Sequence, residues 1–265
     1  MELTLDELLK GKATIIKGKE YFNTEAYVTP FLERMSKFTN DFRIQAKLPD
    51  QISITKKEDL NLEDTVFNRV WVQAVMPEEY SVENHKEVIG MVYGLDARKP
   101  VFKIYRGALN MACLNLCVFN PSFLSVQEIE PEKAINYKPL TNLLETTSDI
   151  KIWLDKLSQT LVPYDEQLIN ENLGLWVRNS INSSYDSGYG KVKLAASTSI
   201  DAYKLLYEKK DSPYYVKPGE VTNMFNVYNA FTELISNDGT KDGGCKDILN
   251  KCEKTLLLKD ILTLA

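Results

Sequence analysis

The chain has 265 residues, a formal net charge of −5, and 44% hydrophobic residues. This composition is typical of a folded globular protein and argues against general disorder. The acidic balance argues against a partner bound through overall positive charge, although it leaves room for a local basic patch. No stretch approaches the ~18 consecutive apolar residues of a membrane span. The first twelve residues lack the basic and apolar regions of a secretory signal, so we expect a protein of the cytoplasm of whichever cell makes it, with no membrane partner.

The first half of the chain is predicted to be rich in strands. Leu3–Leu9 reads as a short helix with Thr4 as its N-cap and Glu7 completing a capping box. Thr24–Phe38 has apolar residues at helical spacing and is predicted to be an amphipathic helix. Alternating or β-branched runs predict strands at 13–19, 42–47, 51–55, 66–76, 88–93, 101–105 and 123–129.

The most apolar long stretch, Val101–Pro121, is predicted to form the buried middle of this half. It contains no acidic residue and holds two of the four cysteines, Cys113 and Cys117. Within it, Leu109–Phe119 fits a buried helix or a central strand equally well, because periodicity does not separate the two for so apolar a run.

The second half is predicted to be mainly helical. Apolar residues at helical spacing predict helices at 140–144, 150–161, 164–181, 199–208, 220–235 and 245–264. Ser180–Lys191 is the strongest loop candidate, and Thr198 or Ser197 is the expected cap of the helix that follows. The predicted fold class is therefore α+β. A mainly antiparallel sheet with flanking helices lies in region 1–130 and helices in region 131–265, in one continuous compact unit.

A basic patch stands out between Ala97 and Gln127, where there is no acidic residue. Its four cations are Arg98, Lys99, Lys103 and Arg106. If 100–105 is a strand, Lys103 and Tyr105 share one face, which could track a phosphate backbone while bases stack on the tyrosine. The competing interpretation is that hairpins routinely carry exposed lysines and that Arg106 pairs with a buried carboxylate.

A second candidate surface is the glycine-containing stretch Tyr185–Lys191. It ends in Gly-x-Gly-Lys but lacks the full phosphate-binding pattern, since a tyrosine occupies the first glycine position and Val192 follows the lysine. One interpretation is a surface loop between helices. The other is a finger that stacks on bases through Tyr185 and Tyr189, with Lys191 nearby.

Catalytic and metal-binding motifs are absent from the sequence. The single histidine, His85, lies in a polar setting (Glu83–Glu87) that predicts an exposed side chain, so a nucleophilic triad is not expected. The four cysteines do not have zinc-ligand spacing and are expected to be reduced and buried. We therefore predict no catalytic residue, no metal and no cofactor, and favour a protein that is not an enzyme.

Two blocks of the sequence resemble a known family. The first is KIYRGALNMACLNLCVFNP, in which an arginine leads into an Ala-Cys-x-Asn core, here with Leu114 between Cys113 and Asn115. The second is TNMFNVYNAFTELI, with Tyr228, Asn229, Thr232 and Glu233. Together they resemble the phage/plasmid-like protein family, a domain-of-unknown-function family carried by phages, plasmids and prophages. The resemblance implies a mobile-element origin and a role in the phage or plasmid life cycle.

Three functions remain open on these observations. The first is a mobile-element accessory protein that binds single-stranded DNA or RNA in replication or recombination, through Lys99, Lys103, Tyr105, Arg106, Tyr185, Tyr189 and Lys191. The second is a protein–protein module that inhibits a host defence factor or acts as a homo-oligomeric assembly factor. The acidic balance favours it, because an acidic surface can imitate nucleic acid or engage a basic protein. The third, an enzyme acting on a nucleotide, depends only on the incomplete glycine pattern.

Overall fold

The computed structural model describes most of the chain. The described residues are 2–11, 14–16, 19–21, 24–48, 61–67, 69–81, 85–96, 99–110, 116–117, 124–130, 133–145, 149–186, 191–237 and 254–263. The expected strand at 51–55 and most of the 109–119 run, including Cys113, lie outside these residues.

The predicted α+β class is confirmed, with strands before about residue 130 and mostly helices after it. The described strands are β1 (Thr14–Ile16), β2 (Lys19–Tyr21), β3 (Phe42–Lys47), β4 (Arg69–Val75), β5 (His85–Asp96), β6 (Lys99–Asn110), β7 (Leu116–Cys117), β8 (Leu124–Glu128), β9 (Leu161–Pro163), β10 (Tyr185–Asp186), β11 (Lys191–Val192) and β12 (Val221–Asn223). The described helices are α1 (Leu5–Leu9), α2 (Thr24–Met35), α3 (Lys138–Glu145), α4 (Asp149–Gln159), α5 (Glu166–Asn182), α6 (Ala196–Tyr207), α7 (Met224–Asn237) and α8 (Leu258–Ile261).

A six-stranded antiparallel sheet forms the centre of the first half. Its strands run in the order β3-β4-β5-β6-β7, and β8 also pairs with β6. The β5–β6 hairpin is the longest pairing, from His85 opposite Asn110 to Asp96 opposite Lys99. Consecutive strands are thus mostly neighbours in the sheet, as expected for an antiparallel meander.

One face of the sheet packs against helices from both halves of the chain. Val70, Val72 and Ala74 of β4 belong to the same buried cluster as Phe31 of α2 and Phe231 of α7. The cluster therefore joins the sheet-containing region to the helical region.

The second face of the sheet is also buried at its centre. It carries a smaller apolar cluster made of Trp71, Val75, Val88, Val92, Tyr105, Leu109 and Leu256. Every described residue of β4 is buried, on both faces. Near-continuous apolar strands are typical of sheets that are covered on both sides.

Local capping explains where several elements begin. Thr4 and Glu7 form the predicted capping box at α1. The predicted cap of α6 is wrong: the helix begins at Ala196, so Ser197 and Thr198 lie inside its first turn, and Ala195 caps it without a side-chain bond. The helix predicted from residue 220 begins at Met224, because residues 221–223 pair with β9.

Candidate functional site

The face of β6 that bears Lys103 and Tyr105 is not a surface. The two residues do share one face of the sheet, since they lie opposite Val92 and Gly90 of β5. That face is covered, and Lys103 and Tyr105 are 2% and 1% exposed. The Tyr105 hydroxyl accepts hydrogen bonds from Trp71 Nε1 and from Gln73 Nε2, the latter at 2.9 Å. The predicted stacking role of Tyr105 and the phosphate-binding role of Lys103 are therefore wrong in this fold.

Arg106 lies on the opposite, helix-covered face of the sheet and is also buried. Its guanidinium Nε donates to Oε1 of Glu87, and both side chains are almost fully shielded from solvent. The prediction that Arg106 contacts nucleic acid is wrong, and the competing interpretation, pairing with a buried carboxylate, is confirmed. A buried arginine needs such a partner because an unpaired charge is costly away from water.

The described ends of the Tyr185–Lys191 stretch pair as two short antiparallel strands. Tyr185 lies opposite Val192, and Asp186 lies opposite Lys191. Because side chains alternate along a strand, Tyr185 and Lys191 point to opposite faces. Tyr185 is half-buried against both apolar clusters. Lys191 is exposed and lies opposite Asp186 on the neighbouring strand.

The remaining predicted contacts are only partly described. Lys99 begins β6 opposite Asp96, but its side chain lies outside the described part of the structure, as does all of Tyr189. Five of the seven predicted residues have described side chains. Of these, only Lys191 is exposed, so the structure does not bring the seven together into one surface.

His85 is buried, contrary to the expectation of an exposed side chain. It is 1% exposed, and its ring lies edge-on against Phe225 of α7, with ring centroids 4.8 Å apart. Burial lowers the pKa of His85 to about 4, and the neighbouring Asn229 side chain opposes this in part. Both ring nitrogens and the Asn229 Oδ1 atom are nevertheless buried outside normal hydrogen-bonding geometry to any described residue.

An exposed apolar surface that sequence reasoning missed lies on the β9–β12 ribbon. Val221 is paired with Pro163 and Asn223 with Leu161, so these four residues share the outer face. Leu161 and Val221 are 67% and 59% exposed, and Pro163 is also exposed. We call Leu161, Pro163 and Val221 the ribbon face. The inner face holds Val162, which is buried in the main cluster.

A tight turn fixes the start of β12. The Glu220 amide donates to the Lys217 carbonyl at 3.0 Å, and Gly219 has a φ of 83°. Pro218 followed by a glycine with positive φ is the signature of a type II turn. The Tyr164 amide then donates to the Glu220 carbonyl at 2.9 Å, so the pairing that orients the ribbon face continues past both strand ends.

Residues of both charge signs flank the ribbon face along the chain. Lys217 and Glu220 precede Val221 and form an ion pair at 3.8 Å. Asp165 and Glu166 follow Pro163, and Asp165 caps α5 by accepting from the Leu168 amide. An apolar centre with a polar rim is typical of a protein-contact surface.

Other kinds of site find no support in the part of the chain that is described. Within it, no group of three or more His, Cys, Asp or Glu side chains is arranged to hold a metal ion. Among the described helices, none is both long and apolar enough to cross a membrane.

Comparison of the chain with known protein families, with curated proteins and with solved structures finds no match. The resemblance to the phage/plasmid-like family therefore stays a prediction from its two sequence blocks.

Proposed function

We propose that this chain is a protein–protein module that assembles with a second copy of itself through the ribbon face. The observation that carries the proposal is the outward placement of Leu161 and Val221, at 67% and 59% exposure, on one side of a two-stranded ribbon. Single exposed apolar side chains are ordinary. Here the apolar side chains are adjacent, since Leu161 and Val221 lie diagonally across the ribbon, a spacing at which side chains still reach each other.

A second copy fits this surface for two reasons. An antiparallel ribbon can face its own copy across a two-fold axis, which is the commonest symmetry of homodimers. The flanking charges include both signs, so Lys217 of one copy can approach Glu166 or Glu220 of the other without net repulsion. A surface built for a strongly basic partner would carry acidic residues alone.

The size of the ribbon face predicts a weak complex. A standard interface buries roughly 800 Å² on each partner, far more than three side chains supply. We therefore expect reversible dimers that form at the upper end of a concentration series rather than an obligate dimer.

Sedimentation velocity across about 1 µM to about 1 mM protein tests the proposal. The wild type is expected to shift from monomer to dimer over this range. The double variant Leu161→Lys/Val221→Lys is expected to weaken the dimer by at least about tenfold, because each copy would place charges against an apolar surface.

Ile152→Lys is the matched control. Ile152 is also 67% exposed but lies on α4, outside the ribbon. It receives one added charge where the double variant receives two, and lysine is well tolerated in helices. A wild type that stays monomeric throughout, or an equal loss of dimer in the control, would contradict the proposal.

The wider biological role remains as the sequence suggests: an accessory protein of a phage or other mobile element, acting in the host-cell cytoplasm. Binding of single-stranded nucleic acid is not part of this proposal, because Lys103, Tyr105 and Arg106 are inside the protein. An electrophoretic shift series with single-stranded DNA, double-stranded DNA and RNA measures that function separately.

A further inference from the structure

His85 occupies the junction between the sheet and α7. It begins β5, and its ring contacts Phe225 and faces Asn229, which are one helical turn apart on α7. Residues four apart lie on the same side of a helix, so this side of α7 packs against the imidazole. The contact is between an imidazole and an apolar ring, and the histidine side chain is 1% exposed there.

The charged groups around this junction are already engaged. On β5, Glu87 lies two residues further along the same face, and it is held by Arg106 of β6. Lys86 points to the other face and pairs with Glu78 at 3.6 Å. Among the described residues of β5, the carboxylate on the same face as the imidazole is therefore already held by a guanidinium.

The titratable residues of α7 do not stabilise a positive charge on the imidazole either. Within the helix they are Tyr228 and Glu233. The Tyr228 ring lies edge-on against Trp153 of α4, and the Glu233 carboxylate faces the Tyr214 hydroxyl at 3.5 Å. The two α7 residues that do meet His85, Phe225 and Asn229, do not ionise.

We propose that His85 is an acid-sensitive release point, at which protonation of the buried imidazole detaches α7 from the sheet. The proposal is independent of the ribbon face, since it concerns an interior contact. The added charge has to leave the apolar junction to reach water, and moving α7 away is the direct way to hydrate it.

The direction of the pH effect follows from the pKa of His85 in two states, because the imidazole binds a proton more tightly when it is exposed than when it is buried. A histidine exposed by unfolding has its ordinary pKa of 6.5, whereas burial lowers the pKa of His85 to about 4 in the folded chain. The contribution of neutral His85 to stability is fully present well above pH 6.5 and is lost progressively as the pH falls through about 4. The difference between the two pKa values corresponds to a roughly 300-fold fall in the folded-to-unfolded ratio between pH values well above 6.5 and values well below 4.

An NMR titration reads the site directly, because the chain contains a single histidine. The Hε1 resonance of folded wild-type protein is expected to keep its neutral position from about pH 8 to about pH 5. A resonance that titrates near pH 6.5 while the protein stays folded would overturn the proposal.

Urea unfolding at several pH values then separates His85 from the carboxylates, which also titrate in acid. His85→Phe keeps an aromatic ring against Phe225 and removes the titration. Relative to its own value at neutral pH, this variant is expected to escape most of the ~300-fold acid loss shown by the wild type. An equal fall in the folded-to-unfolded ratio of both proteins in acid would also overturn the proposal. If the variant does not fold, the NMR titration of the wild type is the test.

Tryptophan fluorescence tests whether α7 is the element that separates from the sheet. Trp153 and Trp176 lie against Tyr228 and Phe231 of α7, with ring centroids 5.2 and 5.7 Å apart. Trp71 lies in the cluster on the opposite face of the sheet and packs against Tyr105. In a Trp71→Phe background the emission is expected to shift in the His85 pH window. Retention of the neutral-pH spectrum down to about pH 4 in that background would contradict release of α7.

Discussion

Replacing Arg106 by methionine is expected to lower the free energy of unfolding by about 3–5 kcal/mol. The change keeps most of the side-chain length but leaves the Glu87 carboxylate buried without its guanidinium. Both side chains are almost fully inaccessible to solvent, so water does not replace the lost partner. Urea unfolding at neutral pH, followed by circular dichroism, measures the effect.

Two further variants separate the buried ion pair from other causes. The double variant Glu87→Leu/Arg106→Met removes both charges and is expected to recover most of the loss, because an apolar pair of similar volume needs no charge compensation. Lys204→Met breaks an exposed pair with Asp201 and is expected to cost less than about 1 kcal/mol. A double variant as unstable as Arg106→Met alone would show that the charge imbalance is not the cause.

Replacing Gly90 by alanine is expected to destabilise the fold by about 3–5 kcal/mol. Gly90 lies directly opposite Tyr105, and a Cβ atom there would overlap the tyrosine ring and hydroxyl. If the ring moves away, Trp71 Nε1 and Gln73 Nε2 lose their shared acceptor in a buried environment. Overpacking and unsatisfied donors therefore act together, and thermal and urea unfolding of the variant measure their sum.

Gly174→Ala is the matched control for this substitution. Gly174 lies inside α5 with open space around the position of a new Cβ, so alanine is expected to stabilise the fold by about 0.5–1 kcal/mol. Combining Gly90→Ala with Tyr105→Leu removes the ring that clashes. The combined loss is expected to be smaller than the sum of the two single losses, and simple additivity would argue against a direct clash.

Much of the fold is readable from the sequence because periodicity reports one-sided burial. The alternation in FRIQAK predicts β3 at its observed bounds, Phe42–Lys47. Capping chemistry predicts the start of α1 at Thr4. The same reasoning places Val70, Val72 and Ala74 on one face of β4, where they join the main cluster.

Lys103, Tyr105 and Arg106 of the predicted nucleic-acid surface are buried. The prediction gave residue type more weight than the run in which these residues occur. Lys103 and Tyr105 lie between apolar residues of β6 that are buried on both faces of the sheet, as in sheets that are covered on both sides. Their aliphatic and aromatic parts pack well inside, while the polar tips find partners, as the Tyr105 hydroxyl does with Trp71 and Gln73.

The ribbon face and the burial of His85 depend on long-range pairing that local patterns do not contain. Leu161 and Val221 are 60 residues apart and become neighbours only when β9 pairs with β12. Similarly, the polar residues around His85 predict exposure, but Phe225, 140 positions later, covers the ring. Neither contact has a sequence spacing by which it could be recognised.

The order of elements along the chain has a consequence for biosynthesis. The strands of the central sheet lie between Phe42 and Glu128, whereas the helices α4 to α8 that complete the main cluster follow at Asp149–Ile261. A ribosome releases the N-terminal part first, at roughly 5–20 residues per second. For several seconds the nascent sheet therefore has one apolar face without the part of its helical cover that α4 to α8 supply. During that interval a chaperone that binds extended apolar segments would compete with aggregation of the emerging polypeptide.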